Sequence, residues 1–306
     1  MREFDLVIVG GGLAGLTAAV YAGRYGLSTA VVDQMGAGGQ IVNVEKIENF
    51  PGFPEGVAGF DLGPLVQEQA EAAGAEFVMD TVEALEIDGD KRVLRCAEEE
   101  LRSRAVIVAA GSNLRALGIP GEERLLGKGV SHCASCDAPF FAGEDACVIG
   151  GGDSALDEAA VLAEQASRVL VIHRGPEFQA QQVIRDKVAA MGNIEPVLNT
   201  AVDEILGDDA VTAVRLKDVT SGAMREQALG GVFVFVGLEP NTAFVRGVLD
   251  LDDAGHIRTD ILMRASVPGV FAAGDIRQSS VAQLVSAAGD GATAAIAAYR
   301  YLSNIS

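Results

Sequence analysis

The sequence predicts an α/β protein built on two dinucleotide-binding units, and three observations carry that expectation. A short apolar run, Leu6-Val7-Ile8-Val9, leads straight into Gly10-x-Gly12-x-x-Gly15 and an apolar helical stretch. The pattern recurs at Ala146-Cys147-Val148-Ile149 and Gly150-x-Gly152-x-x-Ala155, with the first glycines 140 residues apart. Each copy is followed by another apolar strand and later by short segments of alternating polarity. The repeat is more specific than either glycine motif alone. A chain of 306 residues has room for two domains, each with its own core.

Leu6 to Val9 reads as a parallel strand buried on both faces. In the fingerprint that follows, Gly10 makes the tight turn, Gly12 lets the backbone approach a pyrophosphate, and Gly15 lets helix pack on strand. The pyrophosphate sits at the helix N-terminus, where free N–H groups favour an anion. The helix is expected over Leu16 to Tyr25 and a second strand over Thr29 to Val32. Asp33 ends that strand 18 residues after Gly15, placed to accept hydrogen bonds from a ribose diol. An irregular segment holds Gly36-Ala37-Gly38-Gly39-Gln40 and Asn49-Phe50-Pro51-Gly52-Phe53-Pro54, and reads as a functional loop or a plain surface one. Asp61 to Ala73 has helical spacing. Glu76 to Ser103 reads as an antiparallel meander with Cys96 in its core, and Ala105 to Ala110 as a buried strand ending at Gly111.

In the second copy a helix is expected over Leu156 to Ala166 and a strand over Val169 to Ile172. That strand ends at His173-Arg174 instead of an acid, and Arg174 suits a 2′-phosphate, which points to NADP over NAD. Cys147 reads as core packing. Ala213 to Leu216 and Val232 to Val236 suggest another small sheet. Val267 to Asp275 reads as a strand running into Gly274-Asp275, whose acid serves either flavin hydroxyls or a helix cap. An alanine-rich helix over Val281 to Leu302 closes the chain.

Between the two fingerprints lies His132-Cys133-Ala134-Ser135-Cys136-Asp137. Cys-x-x-Cys spacing lets two sulfurs cycle between dithiol and disulfide, and the adjoining carboxylate can move the proton each exchange needs. A zinc site needs four ligands, and Cys96, Cys147, His132, His173 and His256 form no second pair, so no metal is expected. A net charge of −20 argues against nucleic acid. The opening residues form neither a secretory signal nor a membrane span, so a cytoplasmic protein is expected, where such a cysteine pair is catalytic.

Jointly, Gly10 to Gly15, Gly38-Gly39-Gln40, Glu48-Asn49-Phe50-Pro51-Gly52, Cys133 to Asp137, Gly150 to Ala155 and Gly269 to Asp275 resemble the low-molecular-weight thioredoxin reductase family of flavoprotein disulfide reductases. The resemblance implies two Rossmann-like domains, each a three-layer ββα arrangement, with the second inserted in the first. Residues 1–113 and 243–306 would form the FAD-binding domain, and 114–242 an NAD(P)H-binding-like domain carrying the cysteine pair. It implies FAD contacts from Gly10, Gly12, Leu13, Ala14, Gly15, Asp33 and Gln34. Further contacts would come from Gly39, Gln40, Asn49, Val82, Ala110 and Gly111, and from Gly274, Asp275, Ala282, Gln283 and Leu284. NADPH or NADH would meet Gly150, Gly152, Asp153, Ser154, Ala155, His173 and Arg174.

By the same resemblance Cys136 faces the flavin, Cys133 attacks the partner's disulfide, and Asp137 is the acid–base residue. His132 either supports a thiolate or is structural. The partner would be a thioredoxin-like protein, the enzyme a homodimer, and the inserted domain would rotate between two tasks. Two departures concern the electron donor. NADPH-using members carry His-Arg-Arg-x-x-x-Arg, whereas this chain has His173-Arg174-Gly175-Pro176-Glu177-Phe178-Gln179; they also carry Arg-Gln where this chain has Ala282-Gln283. Two lost charge-assisted contacts of about 1.5–3 kcal/mol each weaken NADPH by roughly two to four decades. That admits NADH, ferredoxin or flavodoxin as donor, and as an alternative an FAD-dependent dithiol oxidase that passes electrons to O2.

Overall fold

The computed structural model describes residues 2–304 and divides the chain into two compact units, Met1–Asn113 with Glu239–Ser306, and Leu114–Leu238. The second is therefore an insertion in the first.

In the first unit five parallel strands run in the order Glu76–Val78, Thr29–Val32, Arg2–Val9, Glu100–Val108, Val270–Ala272. The long strand Glu100–Val108 takes two partners in succession along one side, within a single seven-stranded sheet. Its first half pairs antiparallel with Lys91–Cys96, as in Arg92 opposite Ser103, and its second half pairs parallel with Val270–Ala272. Val82–Asp88 completes the meander.

Alternation along the central strands builds three layers. Leu6, Ile8, Val31 and Ile107 pack with Ala18, Ala22, Ala294 and Ala298 of the helices Leu13–Arg24 and Leu284–Asn304. Val7, Val9, Val32 and Val106 face the other way, onto Leu85, Leu94, Val245 and Ile257. A strand buried on both faces must be apolar at every position, as Leu6 to Val9 is.

The second unit repeats the plan. Its parallel sheet runs Ile194–Val197, Arg168–Ile172, Asp145–Ile149, Gly231–Val234, Val130–Ser131. Ala146 and Val148 face the helix Asp153–Ala163 through Leu156 and Ala159. Cys147 and Ile149 face the antiparallel meander Thr200–Leu206, Ala213–Asp218, Met224–Ala228 through Ile205, Val214 and Leu216. Cys147 is thus a core residue.

Several boundaries differ from the sequence expectation, each for a physical reason. Glu76–Val78 is a parallel strand of the first sheet, not part of the meander. Gly231–Val234 likewise lies between two parallel strands instead of joining Ala213–Asp218 in a small sheet. Three or four residues carry too little periodicity to distinguish the two pairings. The fingerprint helices begin at Leu13 and Asp153, because Gly12 and Gly152 are themselves the caps. The last helix begins at Leu284, since Ser279 (φ 63°) and Ala282 (φ 50°) adopt a left-handed conformation that a right-handed helix excludes.

Two glycines of that last helix separate packing from propensity. A Cβ on Gly291 would lie 2.1 Å from the Ala14 carbonyl oxygen, whereas one on Gly289 meets nothing within 4 Å. Gly291→Ala is expected to destabilise by about 1–3 kcal/mol through overpacking. Gly289→Ala is expected to stabilise by about 0.5–1 kcal/mol through helix propensity. Thermal unfolding of the two variants checks both signs.

Candidate active site

In the first unit the fingerprint is shaped around a close approach of backbones. Gly10 has φ +110°, and a Cβ there would lie 2.3 Å from the Ala109 carbonyl oxygen. A Cβ on Gly15 would lie 1.9 Å from the Gly10 carbonyl oxygen. Over Gly12 there is open space instead, so the helix N-terminus is free to receive a phosphate group. Leu13 and Ala14 are buried in the first turn.

Asp33 stands at the strand end. Its Oδ2 accepts from Gly11 N–H (2.7 Å), and its Oδ1 accepts from Met35 N–H (2.7 Å) and Gly36 N–H (3.0 Å). An ionised carboxylate offers about four acceptor positions, so three hold the turn and one remains for a sugar hydroxyl. Gln34 accepts from the Thr81 hydroxyl, next to Val82. Gly39 (φ +58°) approaches Gly12: a Cβ there would lie 3.3 Å from the Gly12 Cα.

Three distant segments are tied together at this end of the sheet. The Gln40 amide donates to Ser112 O (3.0 Å), and the Ser112 hydroxyl donates to Asp275 O (3.2 Å). Asn49 Nδ2 donates to Gln283 Oε1 at 3.1 Å. Leu284 packs against Ile41, Ile47 and Leu62. Asn241 closes the turn at Ala110 and Gly111, donating from its side chain to Ala110 O and from its backbone to Gly111 O. Asp275 receives the Ser280 hydroxyl at 3.1 Å, and burial raises its pKa above the ordinary carboxylate value. Behind Gly274, the buried Asp290 accepts from Gly274 N–H and holds Arg277 through both carboxylate oxygens. A phosphate-receiving helix end, an acid at the second strand and convergent amides and carboxylates suit a flavin dinucleotide.

In the second unit Cys133 and Cys136 form a disulfide, with Cα atoms 5.3 Å apart. Cys133 is half-buried and Cys136 exposed. Cys133 Sγ accepts from Cys136 N–H (3.2 Å) at the start of the single helical turn Ala134–Asp137. Ala134 N–H donates to Glu158 Oε2 (2.6 Å), a side chain of the fingerprint helix. Asp137 Oδ2 accepts from the buried Ser131 hydroxyl at 2.6 Å. His132 Nδ1 lies 3.2 Å from Val234 O; a carbonyl only accepts, so Nδ1 carries the hydrogen.

At the second fingerprint Gly152 is open, as Gly12 is. The His173 ring lies between two glycines: a Cβ on Gly151 would sit 2.3 Å from its Nδ1, and one on Gly175 would sit 2.6 Å from its Nε2. Burial and, secondarily, the neighbouring Arg174 guanidinium lower the His173 pKa. Asp153 accepts from the Gln181 backbone N–H (2.8 Å) and side chain (2.6 Å), and Gln179 N–H donates to Gly151 O, so the loop after the strand is laid over the fingerprint. Ser154 and Arg174 are exposed and Ala155 is buried.

Comparison with known proteins agrees with this chemistry. The family model described as pyridine nucleotide-disulphide oxidoreductase matches residues 4–291, and the chain belongs to that family. The thioredoxin reductase of Peptoclostridium litorale is 41% identical over 99% of this chain and 98% of its own. The crystal structure of Lactococcus lactis thioredoxin reductase (FR conformation) matches with TM-score 0.96 at 39% identity, covering 98% and 99% of the two chains. That of T. acidophilum thioredoxin reductase matches with TM-score 0.94 at 36% identity, covering both chains fully. Within its family, the protein is a thioredoxin reductase-like FAD disulfide oxidoreductase.

Sequence reasoning missed Ser112, Ser131, Glu158, Ser280 and the Arg277–Asp290 pair. None lies in a spacing pattern, and each is defined by a partner distant in the chain or across a turn. Asp290 carried a weak signal, as an acid on the apolar face of an alanine-rich helix.

The four cysteines divide by environment. Burial, then the nearby Asp80 carboxylate, pushes the Cys96 thiol up to about 12, and burial raises Cys147 further. Iodoacetamide at pH 8 on the reduced native protein is expected to label Cys133 and Cys136 alone, because nucleophilicity follows the thiolate. Peptide mapping checks this, with all four labelled after denaturation.

A histidine whose pKa is lowered by folding contributes stability above its unfolded value near 6.5 that is lost as pH falls toward the folded value. The urea midpoint is therefore expected to drop more between pH 7 and pH 5 in the wild type than in His173→Asn.

Proposed function

We propose that the protein reduces the disulfide of a thioredoxin-like partner through Cys133 and Cys136. Support for this reading comes above all from a cysteine pair, disulfide-bonded and followed at once by Asp137, on a unit that also carries a dinucleotide fingerprint. Gly12, Asp33, Gln40, Asn49, Asp275 and Gln283 of the first unit would hold FAD, which when bound would supply the two electrons that open the disulfide. Cys133 is the thiol that attacks the partner, and Cys136 the one that would exchange electrons with the flavin. Asp137 takes the proton from the attacking thiol and returns one to the leaving thiolate. Relatives named as reductases give the oxidase alternative no support. A cytoplasmic homodimer fits the same reading.

The second fingerprint, with Gly152 open, would hold a pyridine nucleotide that would supply the electrons, NADPH being preferred weakly over NADH. The 2′-phosphate finds one exposed guanidinium, Arg174, and a nearby acid, Glu177. A solvent-exposed ion pair contributes about 0–1 kcal/mol, which corresponds to a preference below about tenfold. Anaerobic mixing is expected to bleach the flavin band near roughly 450 nm with either nucleotide, and Arg174→Ala to abolish the difference between them. If neither nucleotide, nor a reduced ferredoxin or flavodoxin, bleaches it, the reading is wrong.

A further inference from the structure

Ser131 is the second residue of the short strand Val130–Ser131, buried at 6% exposure, and its hydroxyl has three neighbours. It accepts from Cys133 N–H at 3.0 Å, and it has two acceptors for its own hydrogen, Asp137 Oδ2 at 2.6 Å and Cys133 O at 3.3 Å. A hydroxyl has one hydrogen to donate and two lone pairs to accept with. While Asp137 is a carboxylate, the hydrogen goes to the shorter, charge-assisted bond. Once Asp137 is protonated on Oδ2 it becomes a donor itself. Ser131 Oγ then accepts from both Asp137 and Cys133 N–H, and its own hydrogen turns to Cys133 O. Cys133 O also accepts the Asp137 backbone N–H at 3.2 Å, so every partner stays hydrogen-bonded in both protonation states and the proton can come and go without leaving an unpaired group.

We infer that Ser131 is the positioning residue of the thiol–disulfide step, a hydroxyl rotor that holds the Asp137 carboxyl beside the Cys133 backbone in both of its protonation states. The inference rests on the role proposed for Asp137. Asp137 carboxylate takes the Cys133 thiol proton. The thiolate attacks one sulfur of the partner disulfide, forming the Cys133–partner bond and breaking the partner's own. The released partner thiolate takes the proton back from Asp137. Asp137 then takes the Cys136 thiol proton, the Cys136 thiolate attacks Cys133, closing the Cys133–Cys136 disulfide and breaking the Cys133–partner bond, and the second partner thiolate takes that proton; the partner is reduced by two electrons and the pair oxidised by two.

Threonine and valine at position 131 have nearly the same shape, both suit a strand, and differ in the hydroxyl. FAD-loaded enzyme, reduced anaerobically with dithionite, is mixed with oxidised thioredoxin, and transfer to thioredoxin is timed separately from flavin reduction. Ser131→Thr is expected to transfer within about threefold of the wild type, and Ser131→Val to be slower than Ser131→Thr by roughly ten- to a hundredfold, the range for a misplaced proton-transfer group. Flavin reduction is expected to stay within about twofold in both. Asp137→Asn should be slow, and adding Ser131→Val to it should slow it no further, because the two act as one unit. Equal rates for the threonine and valine variants would overturn the inference, as would additive losses in the double variant, while leaving the reductase reading intact. A fully active Asp137→Asn would overturn the inference together with the role of Asp137.

Discussion

Both halves of this molecule depend on one constraint: at the first fingerprint glycine a neighbouring carbonyl leaves no room for a side chain, Ala109 O at Gly10 and Phe235 O at Gly150, each 2.3 Å from where a Cβ would lie. The Gly10 carbonyl stands where a Gly15 side chain would begin, and the Ala14 carbonyl stands where a Gly291 side chain would begin. These contacts draw the fingerprint helix onto the strand before it and draw the last helix onto the fingerprint helix. The open space over Gly12 and Gly152 is the other side of the same arrangement. The chain is tight where helix meets strand and bare where a phosphate would sit. The second unit accepts Ala155 at the third position, with its Cβ filling the space beside Gly150.

The redox pair is framed by hydrogen-bond acceptors. Ser131 takes the Cys133 N–H, Glu158 takes the Ala134 N–H, and Cys133 Sγ takes the Cys136 N–H. The N-cap Cys133 and two residues of the turn thereby have their backbone donors satisfied, two within the segment and one by the fingerprint helix, which holds the turn that carries the sulfurs. Two carboxylates, Asp137 and Glu158, stand in this frame.

Much of the architecture could be read from residues alone. Leu6 to Val9 and Ala146 to Ile149 announce strands buried on both faces, and the glycine spacing after them announces the turns and helices. Glu76–Val78 and Gly231–Val234 were illegible because so short a strand does not reveal whether its neighbour is parallel. The end of the irregular stretch before Leu284 was hidden because alanine at 282 is a good helix former, yet the chain there turns left-handed. At the site the chemistry-bearing types stood out by spacing, as in Cys133 to Asp137. Their supports, Ser112, Ser131 and Glu158, did not, because a hydrogen bond to a backbone group leaves no pattern in the sequence.

The central claim is that a flavin and the sulfurs at positions 133 and 136 exchange electrons within one polypeptide. An anaerobic dithionite titration of the FAD-loaded protein, followed to full bleaching, tests it most directly. The account predicts uptake of two electron pairs per flavin by the wild type and of one pair when Cys133 and Cys136 are both serine. A wild type that takes up one pair only, with its disulfide still intact at the end point, would contradict it.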